Sequence, residues 1–287
     1  MVGYLIKKFL VLALVLFGLQ VVPVQADSLE SIAVIDSGTN TELFKDNILY
    51  EVCIVSEFTC PNGKKFMEGK GAANIPVSNN KVLGHGTRML SIITQVNPKA
   101  KIILIRIVGI DSKGKPANYY TEDIDNALIW ITNNQKKYNI SVVSLSQGNT
   151  FKTCDVSSTF KKQVSLLKKV NVPVIAAAGN DGNKKPVFTP ACWKEVVSVG
   201  AVTSGGVIQT YSNAKGKVDI YIPDNYTSRM LDNSTKTIIG TSNSTAALSA
   251  WWLLNKRDSF KETYDYLLSL TKPASNYLIK GAYFELE

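Results

Sequence analysis

The chain is poor in histidine: His85 is the only one in 287 residues. Any chemistry that needs an imidazole therefore rests on one position. Cysteine is also scarce, at Cys53, Cys60, Cys154 and Cys192, and no two stand as Cys-x-x-Cys. One histidine and no such pair argue against a zinc site. No stretch concentrates Lys and Arg among aromatics, although the net charge is +9. A nucleic-acid module is therefore not expected, and the charge reads as a solvated basic face. Internal repeats, low-complexity tracts and linkers are absent, so one domain is the simplest organisation.

Apolar residues make up 45% of the chain, which supports a sizeable core. The N-terminus stands apart from it. Lys7 and Lys8 form a basic n-region, residues 9–22 an apolar h-region, and Val24-Gln25-Ala26 a small-residue cleavage motif. This pattern predicts a Sec signal peptide over 1–26, cut after Ala26, with the folded domain over 27–287. The apolar run is short for a membrane span, so no stable anchor is expected after cleavage. The mature chain would be secreted or periplasmic with a charge of +7, because Lys7 and Lys8 leave with the leader. Four cysteines in an oxidising compartment suggest two disulfides, with three pairings open. We favour Cys53–Cys60, closing a loop beside the turn Pro61-Asn62-Gly63, with Cys154–Cys192.

Strand and helix patterns then alternate. Strands are expected over 31–35, 49–56, 101–108, 141–145, 173–178 and 196–202. A helix opens at His85, carries Met89, Leu90, Ile92, Ile93 and Val96, and stops at Asn97-Pro98. Thr121 is expected to cap a helix carrying Ile124, Leu128 and Ile131. Ser157 begins another with Phe160, Val164 and Leu167. Residues 63–81, rich in Gly, Asn and Lys, read as a surface loop. The alternation predicts an α/β fold with a parallel sheet covered by helices on both faces.

In such sheets, ligands gather at the carboxyl ends of the strands. That rule picks out Asp36 after the first strand and Asn180 after the strand ending at Ala178. Gly240-Thr241-Ser242-Asn243-Ser244-Thr245-Ala246-Ala247 puts a serine among small residues at the mouth of a helix, where free N–H groups can hold an oxyanion. A nucleophilic serine needs a base, which can only be His85, and an orienting acid, for which Asp36 is placed. The amide of Asn180 and the backbone N–H of Ser242 would receive the oxyanion. Each motif alone also fits an ordinary cap or turn.

Together, Asp36-Ser37-Gly38, Gly84-His85-Gly86-Thr87, Ala178-Gly179-Asn180 and Gly240-Thr241-Ser242 resemble, in order and local sequence, the subtilisin-like serine proteases. The similarity runs over about 31–254. It implies a three-layer αβα fold with a mainly parallel central sheet, and endopeptidase chemistry on a polypeptide substrate. It implies that Ser146, Gln147 and Gly148, with Ala177, Ala178 and Gly179, line the pocket for the residue before the scissile bond. It also supports the Cys154–Cys192 pairing, since relatives often carry such a bridge.

Three departures stand out. Arg88 replaces a second histidine common in relatives, and Asn243-Ser244 and Leu248 replace the usual Met-Ala and Pro. Only nine residues, 27–35, precede Asp36 after the leader, which leaves no evident propeptide and implies a folding or activating partner. The proposed chemistry needs no cofactor, and no EF-hand-like acidic loop marks a structural calcium site. The rival readings are a catalytically silent binding or regulatory module on the same fold, and an esterase or amidase using the same triad.

Overall fold

The computed structural model describes residues 29–79, 83–151, 153–275 and 280–284. The leader expected over 1–26 lies outside them. The organising strand is β1 (Ser31–Asp36), buried along its whole length. It is flanked by β4 (Lys101–Arg106) on one side and β5 (Ile140–Leu145) on the other, both parallel to it. Side chains alternate across a strand, so β1 feeds two cores. Ile32 and Val34 enter one with Ile102 and Leu104; Ala33 and Ile35 enter the other with Ile103 and Ile105. Burial on both faces explains why these strands read as continuous apolar runs.

The ten-stranded sheet has the order β11-β12-β8-β7-β6-β5-β1-β4-β2-β3. The remaining inner strands are β2 (Ile48–Ile54), β6 (Val174–Ala177), β7 (Val197–Val202) and β8 (Ile220–Pro223), and neighbours among them pair in parallel. The chain leaves β4 on one side of β1 and returns as β5 on the other. The carboxyl end of β1 is therefore a switch point, where a crevice opens.

Helices α1 (His85–Val96), α4 (Thr241–Leu254) and α5 (Phe260–Ser269) cover one face. Helices α2 (Thr121–Asn134) and α3 (Ser158–Lys169) cover the other. Helix α4 is buried nearly all round, and Ala246, Ala247 and Ala250 let it lie close against the sheet. Its buried hydroxyls are all satisfied. Ser244 bonds the Ile222 carbonyl at 2.8 Å, Thr245 that of Thr241 at 2.9 Å, and Ser249 that of Thr245 at 2.8 Å.

Most expected elements appear within a residue or two of their predicted bounds. Asn97 ends α1, and Ser157 caps α3 by accepting from the Phe160 N–H at 2.8 Å. Thr121 is the first helical residue of α2 rather than its cap. Tyr120 holds the cap position, and its N–H bonds the Asp123 carboxylate at 2.8 Å. The stretch 63–81 is not all loop: it holds the edge strand β3 (Phe66–Glu68), antiparallel to β2, and a 3-10 turn at Val77–Asn79. A ribbon of β9 (Thr227–Arg229) and β10 (Thr235–Thr237) leans on α1, where the Arg229 N–H bonds Ser91 Oγ at 3.0 Å. Past α5, β11 (Thr271–Ser275) and β12 (Lys280–Phe284) extend the sheet beyond β8. Both disulfides are present, Cys53–Cys60 and Cys154–Cys192, with Cα separations of 5.9 and 5.8 Å in the usual range.

Candidate active site

Asp36 ends β1 at the switch point, with its side chain 1% exposed. Its carboxylate accepts from His85 Nδ1, 2.9 Å from each oxygen, and from the Ser37 N–H at 2.7 Å. Burial is the largest influence on Asp36 and pushes its pKa up. The His85 charge and hydrogen bond, the Ser37 N–H and the Gln147 side chain together outweigh it, holding the acid below its ordinary value. His85 is the first residue of α1, and its side chain keeps 27% exposure. One ring nitrogen is thus fixed on a buried acid while the ring still reaches the crevice.

The residues around this pair explain their motifs. Ser37 Oγ donates to the Leu83 carbonyl at 3.0 Å and accepts from the Gly86 N–H at 3.1 Å, tying the start of α1 to the exit of β1. Gly86 has to be glycine, because a Cβ there would lie 2.2 Å from the Gly38 carbonyl oxygen. Thr87 and Thr39 close the contact through their hydroxyls at 2.8 Å.

Ser242 is the second residue of α4 and is half-buried. Its N–H belongs to the first turn, which has no intrahelical carbonyl to bond. Ser146, at the exit of β5, donates to the Ser242 carbonyl at 3.3 Å and touches Met89 Sδ at 3.6 Å, so β5, α1 and α4 meet here. Among the described residues, no hydrogen bond joins His85 to the Ser242 hydroxyl. Such contacts are often long before substrate binds.

Asn180 is exposed at the exit of β6. Its Oδ1 accepts from the Thr241 N–H at 2.9 Å and the Thr241 hydroxyl at 3.1 Å. The oxygen faces the helix, so the amide NH2 is the end left to donate. The structure thus brings Asp36, His85, Asn180 and Ser242 to one edge of the sheet.

The pocket residues divide. Ser146, Gly148 and Ala177–Gly179 lie at the exits of the neighbouring strands β5 and β6. Gln147, between Ser146 and Gly148, sits 9% exposed with its side chain beside Asp36, and its Oε1 has no partner among the described residues. Both backbone groups of Gly148 are bonded by the Tyr119 hydroxyl, at 2.9 and 3.1 Å. A cavity of about 190 Å³ adjoins Gly148, walled by Tyr119, Ile124, Phe151, Val156 and Phe160.

One cluster escaped the sequence reading. Asp224, after β8, is fully buried and accepts from the Gly240 N–H at 2.8 Å, from Gln209 Nε2 at 3.1 Å and from the Tyr211 hydroxyl. Burial pushes its pKa up against the opposing pull of the Gly240 N–H and Gln209. The strand-end rule that picked Asp36 would have picked it too, had β8 been recognised. Among the described residues, no group of three or more His, Cys, Asp or Glu side chains could hold a metal ion.

A mainly parallel sheet between two helical layers, with an Asp–His pair and a helix-mouth serine at its carboxyl edge, defines an αβα scaffold of the subtilisin-like kind. The subtilase family model matches residues 28–264, and the chain belongs to that family. A cuticle-degrading serine protease of Arthrobotrys oligospora is 26% identical over 182 residues, 59% of this chain and 41% of that protein. The major intracellular serine protease of Bacillus subtilis is 24% identical over 227 residues, 74% of this chain and 63% of that protein. The chain thus spans less than two thirds of either relative. The crystal structure of a cold-adapted subtilisin-like serine proteinase shares the fold at a TM-score of 0.66 and 22% identity, covering 90% of this chain and 89% of that one.

Proposed function

We propose that the chain is an exported serine endopeptidase that cleaves polypeptides through an acyl-enzyme. The observation that carries this reading is the His85 Nδ1–Asp36 pair at 2.9 Å, held at the same sheet edge as Ser242 and the Asn180 amide. In this mechanism Asp36 fixes the tautomer in which His85 Nδ1 carries the proton, leaving Nε2 as the base. His85 takes the Ser242 proton as Oγ attacks the scissile carbonyl. Asp36 stabilises the imidazolium, which then protonates the leaving amine. The Asn180 amide and the Ser242 N–H receive the oxyanion. Water repeats the cycle and frees the acid product. Apart from that water, side chains and backbone supply every step.

Two disulfides support export, because such bonds persist in oxidising compartments. The leader over 1–26 would deliver the remaining chain there, where a folding or activating partner would act on it. Among the described residues, no helix is long and apolar enough to cross a membrane. Labelling with a fluorophosphonate tests the reading directly. Wild type should label, while Ser242→Ala and His85→Ala should not. A folded, disulfide-intact wild type that stays unlabelled would overturn it in favour of a binding module.

A further inference from the structure

The exits of β5 and β6 diverge as two walls, Ser146–Gly148 and Ala177–Gly179, expected to receive the substrate side chain on the acyl side of the scissile bond. Segment 187–189 crosses the end of this slot. The Phe188 N–H bonds the Ala178 carbonyl at 2.8 Å, and Thr189 exchanges backbone bonds with Asn149 at 2.9 and 3.0 Å. These bonds dock the segment on both walls at once and leave the Phe188 side chain between them.

The ring fills that space. A Cβ placed on Gly179 would lie 2.5–2.7 Å from Phe188 Cδ1, Cγ and Cε1. A Cβ placed on Gly148 would lie 2.7 Å from the Thr189 carbonyl oxygen, with Phe188 Cβ at 3.3 Å and Cδ2 at 3.5 Å. The ring lies against both glycine walls: it excludes a methyl group at Gly179, while at Gly148 the Thr189 carbonyl of the same segment does so. Phe188 is only half-buried, so it stands at the mouth rather than in the core. The cavity that remains open beside Gly148 is walled by neither Gly179 nor Phe188, so it is a different space.

We propose that Phe188 occupies the pocket for the residue preceding the scissile bond and restricts this chain to substrates with Gly, Ala or Ser there. The proposal rests on the endopeptidase reading above. A large side chain would have to displace a ring packed on two backbone walls, whereas Gly, Ala or Ser asks for little or none of that space. Phe188 is thus a specificity-determining residue, and the two glycines are the walls it needs.

The test is a set of fluorogenic peptides identical except for Gly, Ala, Leu or Phe before the cleaved bond. kcat/KM is measured for wild type and Phe188→Ala, with active sites counted by fluorophosphonate titration. Wild type should favour Ala over Phe by at least about tenfold, the range a mismatched pocket gives. Phe188→Ala should reverse the order by gaining on Leu and Phe, with each rate expressed per fluorophosphonate-titrated active site. Wild type that labels yet cleaves after Phe as readily as after Ala overturns this proposal alone, whatever the variant does. A folded variant that keeps the small-residue preference overturns it too. Folded wild type that takes no label overturns the endopeptidase reading and this proposal together.

Discussion

The side-chain oxygen of Asn180 is shared by the N–H and the hydroxyl of Thr241, at 2.9 and 3.1 Å. The same hydroxyl accepts from the Gly179 N–H at 3.2 Å. Thr241 therefore locks the exit of β6 to the mouth of α4 and fixes which end of the Asn180 amide faces the crevice. Its neighbour Ser242 sits in the same turn, so the proposed nucleophile and oxyanion donor move as one piece.

Two substitutions weigh the donor against the lock: Asn180→Ala removes the amide donor and the oxygen that Thr241 bonds, Thr241→Val the lock's hydroxyl alone. Removing the oxyanion-hole amide of subtilisin lowers kcat by about 10²–10³, and Asn180→Ala should lose activity in that range with little change in KM. Thr241→Val keeps the shape and removes the hydroxyl. It leaves the Gly179 N–H unpaired and should destabilise the protein by about 1–3 kcal/mol. Steady-state kinetics and urea unfolding distinguish them. An Asn180→Ala loss of only a few-fold would remove Asn180 from the mechanism.

The acid partner gives a pH signature. The folded-state pKa of Asp36 lies below its ordinary value of 3.8, so the unfolded chain binds that proton more readily. The stability contributed by the pair is complete above that value and is lost as pH falls through the folded one. Asp36→Asn should flatten this acid limb of the unfolding curve. At neutral pH it should lower kcat by about 10⁴, because the wrong histidine tautomer is then favoured. Unfolding followed between pH 2 and 6, beside kinetics at pH 7 to 8, checks both parts.

Asp224 has the opposite sign. Burial raises its folded-state pKa, so its contribution is present below 3.8 and is lost as pH rises through the folded value. Asp224→Asn can still accept from the Gly240 N–H, and its stability relative to wild type should improve from pH 3.5 to pH 7. Asp224→Ala strands that N–H at the turn before Ser242, and should cost about 1–3 kcal/mol and lower kcat more than it raises KM. Equal pH dependence in wild type and Asp224→Asn would show that this carboxyl does not titrate differently on folding.

Much of this site was legible because its parts obey local rules. Asp36 and Asn180 stand at the ends of apolar runs, and Ser242 and His85 at helix mouths. The bland alternative for each, a cap or a turn, is also true: Gly86 and Ser37 do hold a tight junction, and that junction is what positions His85. Gln147, expected on the pocket wall, also turns its side chain to Asp36, a relationship across 111 positions that no periodicity encodes. Strands β8, β11 and β12 were missed for a related reason. Four or five residues interrupted by Pro, Lys and Gly carry little pattern, and they become strands only by pairing with a sheet already built. Phe188 reads as an ordinary aromatic until both glycine walls are seen around it.

The two disulfides should differ in both stability and function. Cys154–Cys192 spans 38 residues of chain and Cys53–Cys60 only 7. On the chain-entropy account, their removal costs about 4 and about 2.5 kcal/mol. The longer bridge also anchors the segment bearing Phe188. The Cys192 N–H bonds the Phe188 carbonyl at 2.9 Å, and Thr189 Oγ1 lies 3.5 Å from Cys192 Sγ. The paired change Cys154→Ser and Cys192→Ser should therefore lower the melting temperature more than Cys53→Ser with Cys60→Ser. If Phe188 restricts the pocket, loosening its segment should also raise kcat/KM on Leu and Phe substrates relative to Ala, a broadening that loss of the shorter bridge should not cause. Equal losses of stability from the two pairs would contradict the loop-length argument. An unchanged preference in a destabilised Cys154→Ser, Cys192→Ser protein would mean that the backbone bonds to Ala178 and Asn149 hold Phe188 without the bridge.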